Sequence, residues 1–439
     1  MHLTHKIALR PTADQADYFV RACGTARKVW NWALDEWGKQ YAAGGKPTAM
    51  VLKKQFNAIK YDLYPWLKDI HRDAHAQPFA HLATALSTFF ADVQAGRRGH
   101  EPRFKKKGRC RDSFYVANDK FSLDGKRIRL PKIGVVAMTE ALRFEGKILG
   151  ATVSRSADRW FVAIQVDVPE HQAQRRRTAH GTVGVDLGLK SVATLSSGES
   201  IQAPKPLRAA LRRLKIRSRR LSRKLEAAKM AAGFTLGARL PKGTQLPVSN
   251  NRRKSTATLA RLHRRIANIR VDFTHRLTTT LCRENQAVVI EDLNVKGMLA
   301  NDRLSRAISD VGFVLFRQQM SYKVLRYGTR LVVADRWYPS SRLCSACGWK
   351  NEALTLKDRE WTCADCGTCH DRGFNAACNL KRLATETALP VARPTGNGGA
   401  AAGRVLAVAG KVTPVSDECG QQGASGQEET AEHLCSPFR

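Results

Sequence analysis

Cysteine spacing near the C-terminus carries the most specific chemistry in this 439-residue chain: Cys344-x2-Cys347, fifteen residues, then Cys363-x2-Cys366. Two such pairs suit a zinc ribbon, in which each pair sits on a tight knuckle and four thiolates complete a tetrahedron around Zn²⁺. Gly348 and Gly367, each one residue past a pair, give the chain room to turn. Cys369 forms a further Cys-x2-Cys pair with Cys366, so the fourth ligand is open between the two. Closed thiolate sites of this kind are structural, and catalysis has to come from elsewhere. Asp186 in VGVDLGLK lies at the end of an apolar run before a glycine turn, and Glu291 ends a second such run in VVIEDLN. Either acid alone also suits a turn cap. At the rim of one sheet, however, two carboxylates can hold Mg²⁺, and a pair of such ions can activate water and stabilise the leaving oxygen in phosphodiester hydrolysis.

The elements that position these residues follow from periodicity. HKIALRPT alternates like a short strand, and a helical pattern follows Asp14 through DYFVRACGTARKVWNWALDEW. Two or three more helices are expected up to about Ala95, with Pro65 and Pro78 as breaks. GRRGHEPRFKKKGRCR then reads as a phosphate-contacting loop, and two segments broken by Asp-Gly and Ala-Asp turns read as antiparallel strands that pair with the opening strand. The arginine-rich EHQAQRRRTAHG marks a domain boundary. Beyond it, TVGVDLGLKSVATLSSGESI reads as a buried strand, a turn at Gly188 and a second strand. Two arginine-rich helices, 207–229 and 251–284, form a hairpin with Leu207, Leu211, Leu214, Leu221 and Leu225 on one packing face. QAVVIEDL is a central strand, VGFVLFRQQMSYKVLRYG a helix and TRLVVAD a strand. Composition makes the tail disordered.

Charge decides the partner. The 74 lysines and arginines against 38 acids leave a net charge of +36, which only a polyanion would compensate, and nucleic acid fits basic residues spread along the chain. No run of about 18 apolar residues provides a membrane span, so no membrane partner is expected. Candidate phosphate contacts are Arg103, Lys105, Lys106 and Lys107 in the loop and Arg212, Arg213, Arg219, Arg220, Arg264 and Arg265 on the hairpin, with Phe104 and Phe114 available for base stacking. The start MHLTHKIALRPTADQ lacks a signal-peptide core, which predicts a cytoplasmic, nucleoid-associated, bacterial-type protein with its 11 cysteines reduced.

The order of these motifs, ending in HDRGFNAACNL after the ribbon, resembles the transposon-encoded TnpB proteins, an OrfB-type transposase family related to type V CRISPR effectors. The likeness runs to about Leu389 and includes RPTADQADYFVRACGTARKVWNWAL and FKKKGRCRDSFY. It implies an α/β multidomain protein: an N-terminal β-barrel (1–12 and 96–170) with an inserted helical bundle (13–95), and a linker (171–180). An RNase H-like, RuvC-type nuclease domain (181–342 and 368–387) follows, including the hairpin 207–284, with an inserted zinc ribbon (343–367) and a tail (388–439). The implied function is a guide-RNA-directed, Mg²⁺-dependent endonuclease of an insertion sequence. It would act as a monomer, with a noncoding guide RNA and double- and single-stranded DNA as partners, cutting beside a short flanking motif. Asp186 and Glu291 match the family's first two catalytic acids. Its third is the second aspartate of Asp-Arg-Asp-x-Asn-Ala, where this chain has Gly373 and keeps only the first, Asp371. Asp371 either stands in as the third acid or serves as the N-cap of the following helix. Two alternatives remain: a cleavage-deficient RNA-guided DNA binder, and a DNA transposase independent of RNA.

Overall fold

The computed structural model describes residues 1–173, 180–241, 243–355 and 357–386, and the expected tail and most of the expected linker lie outside them. The chain divides into two units, one over Met1–Glu170 and one beginning at His171. Among the described residues no helix is long and apolar enough to cross a membrane.

In the first unit, alternation in HLTHKIALR buries His5, Ile7 and Leu9 on one side of β1 (His2–Arg10). Thr12 ends the strand and starts a helix. Its hydroxyl accepts from Gln15 N at 3.3 Å while the Gln15 side chain accepts from Thr12 N at 3.1 Å, a reciprocal cap that opens α1 (Ala13–Ala42). With α2 (Ala49–Leu63) and α3 (Arg72–Gln94), α1 encloses a core of Trp30, Phe56, Phe79 and Leu82. Pro65 opens a short 3-10 turn and interrupts the helices as expected, but Pro78 lies inside α3 and does not break it. Burial of its ring compensates the lost backbone hydrogen bond and ring clash, which together cost about 3 kcal/mol in a helix interior.

The strands β2 (Ser113–Ala117), β3 (Ser122–Asp124), β4 (Arg127–Leu130), β5 (Gly134–Met138), β6 (Lys147–Ser156) and β7 (Arg159–Asp167) return to β1 as expected. The antiparallel order is β2-β6-β7-β1-β5-β4-β3, and among the described residues the end strands β2 and β3 are not hydrogen-bonded to each other. The basic loop before β2 is fastened to α1: Trp30 Nε1 donates to Arg103 O at 3.0 Å, and the Asn31 amide exchanges bonds with Lys105 O and N at 2.9 and 2.7 Å.

A single turn, α4 (Glu170–Ala173), stands at the division. The second unit has a five-stranded sheet built from β8 (His180–Asp186), β9 (Ala193–Leu195), β10 (Ser200–Ile201), β11 (Asn285–Glu291) and β12 (Arg330–Ala334). The expected single second strand is a hairpin of two short ones, because Gly198 at φ +94° lets the chain reverse. Sheet order is β10-β9-β8-β11-β12, with β8, β11 and β12 parallel and β9 antiparallel to both its neighbours.

Between β10 and β11 comes the hairpin of α5 (Pro206–Ala231) and α6 (Asn250–Glu284), and between β11 and β12 come α7 (Val295–Leu299), α8 (Ser305–Val311) and α9 (Phe313–Tyr327). The two-stranded sheet of β13 (Glu360–Thr362) and β14 (Cys369–Asp371) precedes α10 (Arg372–Glu386). Leu207, Leu214 and Leu221 pack the hairpin against Leu259, Leu262 and Ile266, while Ala210 rather than Leu211 or Leu225 completes that seam. Buried Asp310 on α8 caps α5 by accepting from Leu207 N and Arg208 N at 2.9 and 3.0 Å, which ties the hairpin to the body.

Val183, Val185, Val288 and Ile290 face Leu277, Leu281, Phe316 and Met320 of α6 and α9. On the other face Val289 and Ala334 meet Leu380 and Ala384 of α10. The sheet is thus covered on both sides, as parallel strands require. Gly184 permits that second layer: a Cβ there would lie 1.9 Å from Ala377 O and 2.5 Å from Lys381 N. Gly184→Ala should therefore destabilise the second unit by about 3 kcal/mol or more, read as a lowered urea midpoint, because the obstructing atoms are helix backbone.

Candidate active site and metal centre

Parallel register sets Val185 beside Ile290, so the next residues, Asp186 and Glu291, end neighbouring strands at the same sheet edge. Burial and the negative charge of Glu291 push the half-buried Asp186 carboxyl up to about 7; Asp371 adds to the rise, and Arg372 and Arg359 oppose it. Burial also raises Glu291, against a hydrogen bond from Ser340 Oγ at 2.5 Å and the charge of Arg372. The adjacent Asp292 is engaged differently, paired with Arg317 and, at 2.7 Å, with Arg336.

Asp371 is exposed, and its Oδ1 accepts from Phe374 N at 2.8 Å, capping the first turn of α10. Gly373 lies between the acids. A Cβ there would be 3.2 Å from both Asp186 Oδ2 and Thr194 Oγ1 and 3.5 Å from Asp371 Oδ1, so position 373 faces the carboxylate of Asp186.

The cysteines form a tighter cluster. The sulfurs of Cys344, Cys347, Cys363 and Cys366 all lie within 4.8 Å of one another, with Cys344–Cys366 and Cys347–Cys363 both at 3.6 Å. A tetrahedron with Zn–S bonds of about 2.3 Å has edges of about 3.8 Å, so four thiolates so placed fit zinc. Cys369 stands apart, its sulfur 3.0 Å from Thr362 Oγ1, which removes the ambiguity in the spacing. His370 Nε2 lies 3.0 Å from Cys344 Sγ, an outer contact of the kind that orients a metal thiolate. Among the described residues this is the group of candidate ligands that converges, and the three carboxylates do not form one.

Sequence reasoning missed the groups that join these two sites. Asn375 Nδ2 donates to Leu343 O at 2.6 Å and its Oδ1 accepts from Ser345 N at 2.8 Å. Asn379 Nδ2 donates to Ser340 O and Leu343 O at 2.8 and 2.7 Å. Both asparagines are buried, and together they hold the first cysteine knuckle to α10. Ser340 continues the chain of contacts to Glu291. The available signal was two asparagines at i, i+4 on a helix face otherwise made of Ala376, Ala377 and Leu380.

Three family models match: "Probable transposase" (OrfB, IS605 type) over residues 162–302, the Cas12f1-like TNB domain over 313–380, and a helix-turn-helix domain over 1–46. A Streptomyces pristinaespiralis protein named "Putative RNA-guided DNA endonuclease" is 36% identical over 383 residues, covering 85% of this chain and 87% of the relative. The chain belongs to the TnpB family. The Escherichia coli K12 relative of the same name, InsQ, is 30% identical over 400 residues, covering 85% of this chain and 90% of that one. A solved structure of CasPhi-2 (Cas12j) bound to crRNA aligns with TM-score 0.41 and 13% identity over 88% of this chain and 98% of that one.

The expected phosphate contacts are mostly outward-facing. Arg212, Arg213, Arg219, Arg220 and Arg265 are exposed on the hairpin, and Arg264 is half-buried. In the first unit Arg103, Lys106 and Lys107 are exposed, while Lys105 lies over the Trp30 ring at 3.6 Å. Phe104 is exposed as stacking requires, but Phe114 is not: it is buried against Phe19, ring centroids 5.6 Å apart, because strand alternation turns it inward.

Two outcomes follow. Cys344→Ser should lower bound zinc and the melting temperature, whereas Cys369→Ser should leave the zinc stoichiometry measured by atomic emission unchanged. The raised Asp186 carboxyl binds its proton more tightly when folded, so in Mg²⁺-free buffer its contribution to stability is lost as pH rises from its ordinary 3.8 through about 7. Asp186→Asn should flatten that part of the melting profile, and Mg²⁺ should stabilise the wild type at alkaline pH but not the variant.

Proposed function

We propose that this chain is an RNA-guided, Mg²⁺-dependent DNA endonuclease encoded by an insertion-sequence transposon, cutting target DNA beside a short flanking motif. The observation that carries this reading is Asp186 and Glu291 on adjacent strand ends, each with its pKa raised by burial, in a chain 36% identical to a relative of that name. In chain order the sheet runs third, second, first, fourth, fifth strand with only the second antiparallel, which supports an RNase H-like (RuvC) domain over 181–342 and 368–387. On this reading 343–367 is a structural zinc ribbon held by Cys344, Cys347, Cys363 and Cys366. Residues 1–12 and 96–170 form the barrel into whose chain the bundle 13–95 is inserted, 171–180 is the linker, and 388–439 is the tail.

Asp186 and Glu291 fit a divalent cation, since two half-buried carboxylates at one sheet edge gain from a shared positive charge. Asp186 and Glu291 would hold the Mg²⁺, whose chemistry when bound would be to activate water and to stabilise the leaving oxygen of the phosphodiester. The protein's own part is positioning. Ser340 fixes the rotamer of Glu291, Arg372 tempers the charge of both acids, and the cap from Asp371 Oδ1 to Phe374 N leaves its second oxygen to act as the third acid. The exposed arginines of the hairpin and the loop 103–107 contact phosphates of the guide RNA and the target DNA.

A specific observation favours a second reading, a cleavage-deficient RNA-guided binder: Asp371 serves as a helix cap, and position 373, which faces Asp186, carries no acid. The complex purified with its RNA, given matched target and Mg²⁺, separates the two. Cutting is expected, abolished by Asp186→Ala with binding kept, and lowered at least about ten-fold by Asp371→Asn. Gly373→Asp should keep or raise the rate. Tight binding without cut strands, converted to cutting by Gly373→Asp, would establish the second reading instead. Cutting or joining of transposon ends by RNA-free protein would overturn RNA guidance.

A further inference from the structure

Trp337 is 84% exposed, a large apolar ring left in water beside a site that is otherwise well packed. It is not on a slack loop. Its N–H donates to Asp335 Oδ1 at 2.8 Å, and Tyr338 N donates to Asp335 O at 3.1 Å, which closes a tight turn after β12. Arg336 binds Asp292 at 2.7 Å on one side of the tryptophan. On the other, the Tyr338 hydroxyl reaches Asn379 O at 3.3 Å and Ser340 Oγ reaches Glu291 at 2.5 Å. The backbone is therefore pinned to the C-terminal end of β11 from both directions while the indole is held out.

A second exposed aromatic, Phe374, is in the first turn of α10 and directly follows Gly373, the position that faces Asp186. Arg317, Arg336, Arg359 and Arg372 supply positive charge to the same region. Exposed aromatics on rigid supports among arginines suit unpaired nucleobases, whose faces are free only when the strand is single.

We propose that Trp337 is a positioning residue that stacks on a base of the single DNA strand whose phosphodiester is presented to Asp186 and Glu291, with Phe374 as a second stacking surface. This rests on the endonuclease reading. Stacking would fix the register of the strand, so that one phosphate rather than its neighbours meets the carboxylates.

The test uses the full chain loaded with its guide RNA. In an Asp186→Ala background, a single-stranded DNA oligonucleotide is titrated while tryptophan fluorescence is followed, and the difference between that protein and its Trp337→Phe counterpart isolates one of the 8 tryptophans. A saturable quench in the difference signal is expected. In the cleavage-competent chain Trp337→Ala should raise KM about ten-fold with kcat little changed, and Trp337→Phe should recover most of the loss. No quench difference together with an unchanged KM for Trp337→Ala would overturn the proposal, as would equal losses in the Ala and Phe variants. Equal quenching by RNA of the same sequence would overturn the assignment to DNA. A quench that persists although the wild type cuts no DNA would leave stacking standing and sink the endonuclease reading.

Discussion

A helix can lie with its backbone against a strand only where the strand offers no side chain, and in this protein that place is Gly184. The contact sets α10 directly on β8, with Ala377 O and Lys381 N where a Cβ would be. Much else depends on this approach. It carries the first turn of α10, with Asp371 and Gly373, to the end of the strand that bears Asp186. Through Asn375 and Asn379 it also holds the first cysteine knuckle, and through Ser340 that knuckle touches Glu291. The cysteine cluster and the carboxylates are thus one mechanical assembly. A shift of the cysteine cluster would be transmitted toward Glu291 because a chain of partly buried hydrogen bonds connects the two.

Electrostatics gives that assembly its character. The chain as a whole carries +36, yet the sheet edge gathers acids. Burial works against their ionisation, Glu291 and Asp371 raise Asp186 further, and Arg372 and Arg359 counter this. An arrangement that raises a carboxyl's pKa to about 7 by burial and neighbouring acids is costly to stability, which is why such sites are read as functional. Asp292 shows the contrast one residue away: two arginines neutralise it, and the hydrogen bonds outweigh its burial to leave it below the ordinary carboxylate range.

The arginine-rich hairpin follows the same economy of anchoring. Its inner seam is apolar, its outer face is charged, and its entry into the body is fixed by one buried aspartate, Asp310, at the first turn of α5. At the same base of the hairpin, where α6 rejoins the body, Lys323 of α9 donates to His275 O, Thr278 Oγ1 and Thr279 Oγ1 of α6 at 2.6 to 2.8 Å, and burial draws its ammonium down to about 8. Polar groups where the hairpin leaves and rejoins the body therefore bind a surface-charged element to a hydrophobic core.

Sequence alone was enough for whatever depends on local spacing. Periodicity located β1, α1, α5, α6, β11 and β12 to within a few residues, and the two Cys-x2-Cys pairs named the sulfurs that converge. Order along the chain identified the family before any contact was known. What needed the tertiary structure were relations between residues distant in sequence. Whether Cys366 or Cys369 joins the cluster depends on which sulfur turns inward from the second knuckle, and spacing is blind to that. Pro78 survives inside a helix because packing compensates it, and Phe114 is lost to the core because strand alternation, not chemistry, decides which way a side chain points. The state of the third acid is the sharpest case: only the fold shows that Gly373 faces Asp186 while Asp371 caps the helix beside it, since that depends on how closely α10 may approach β8.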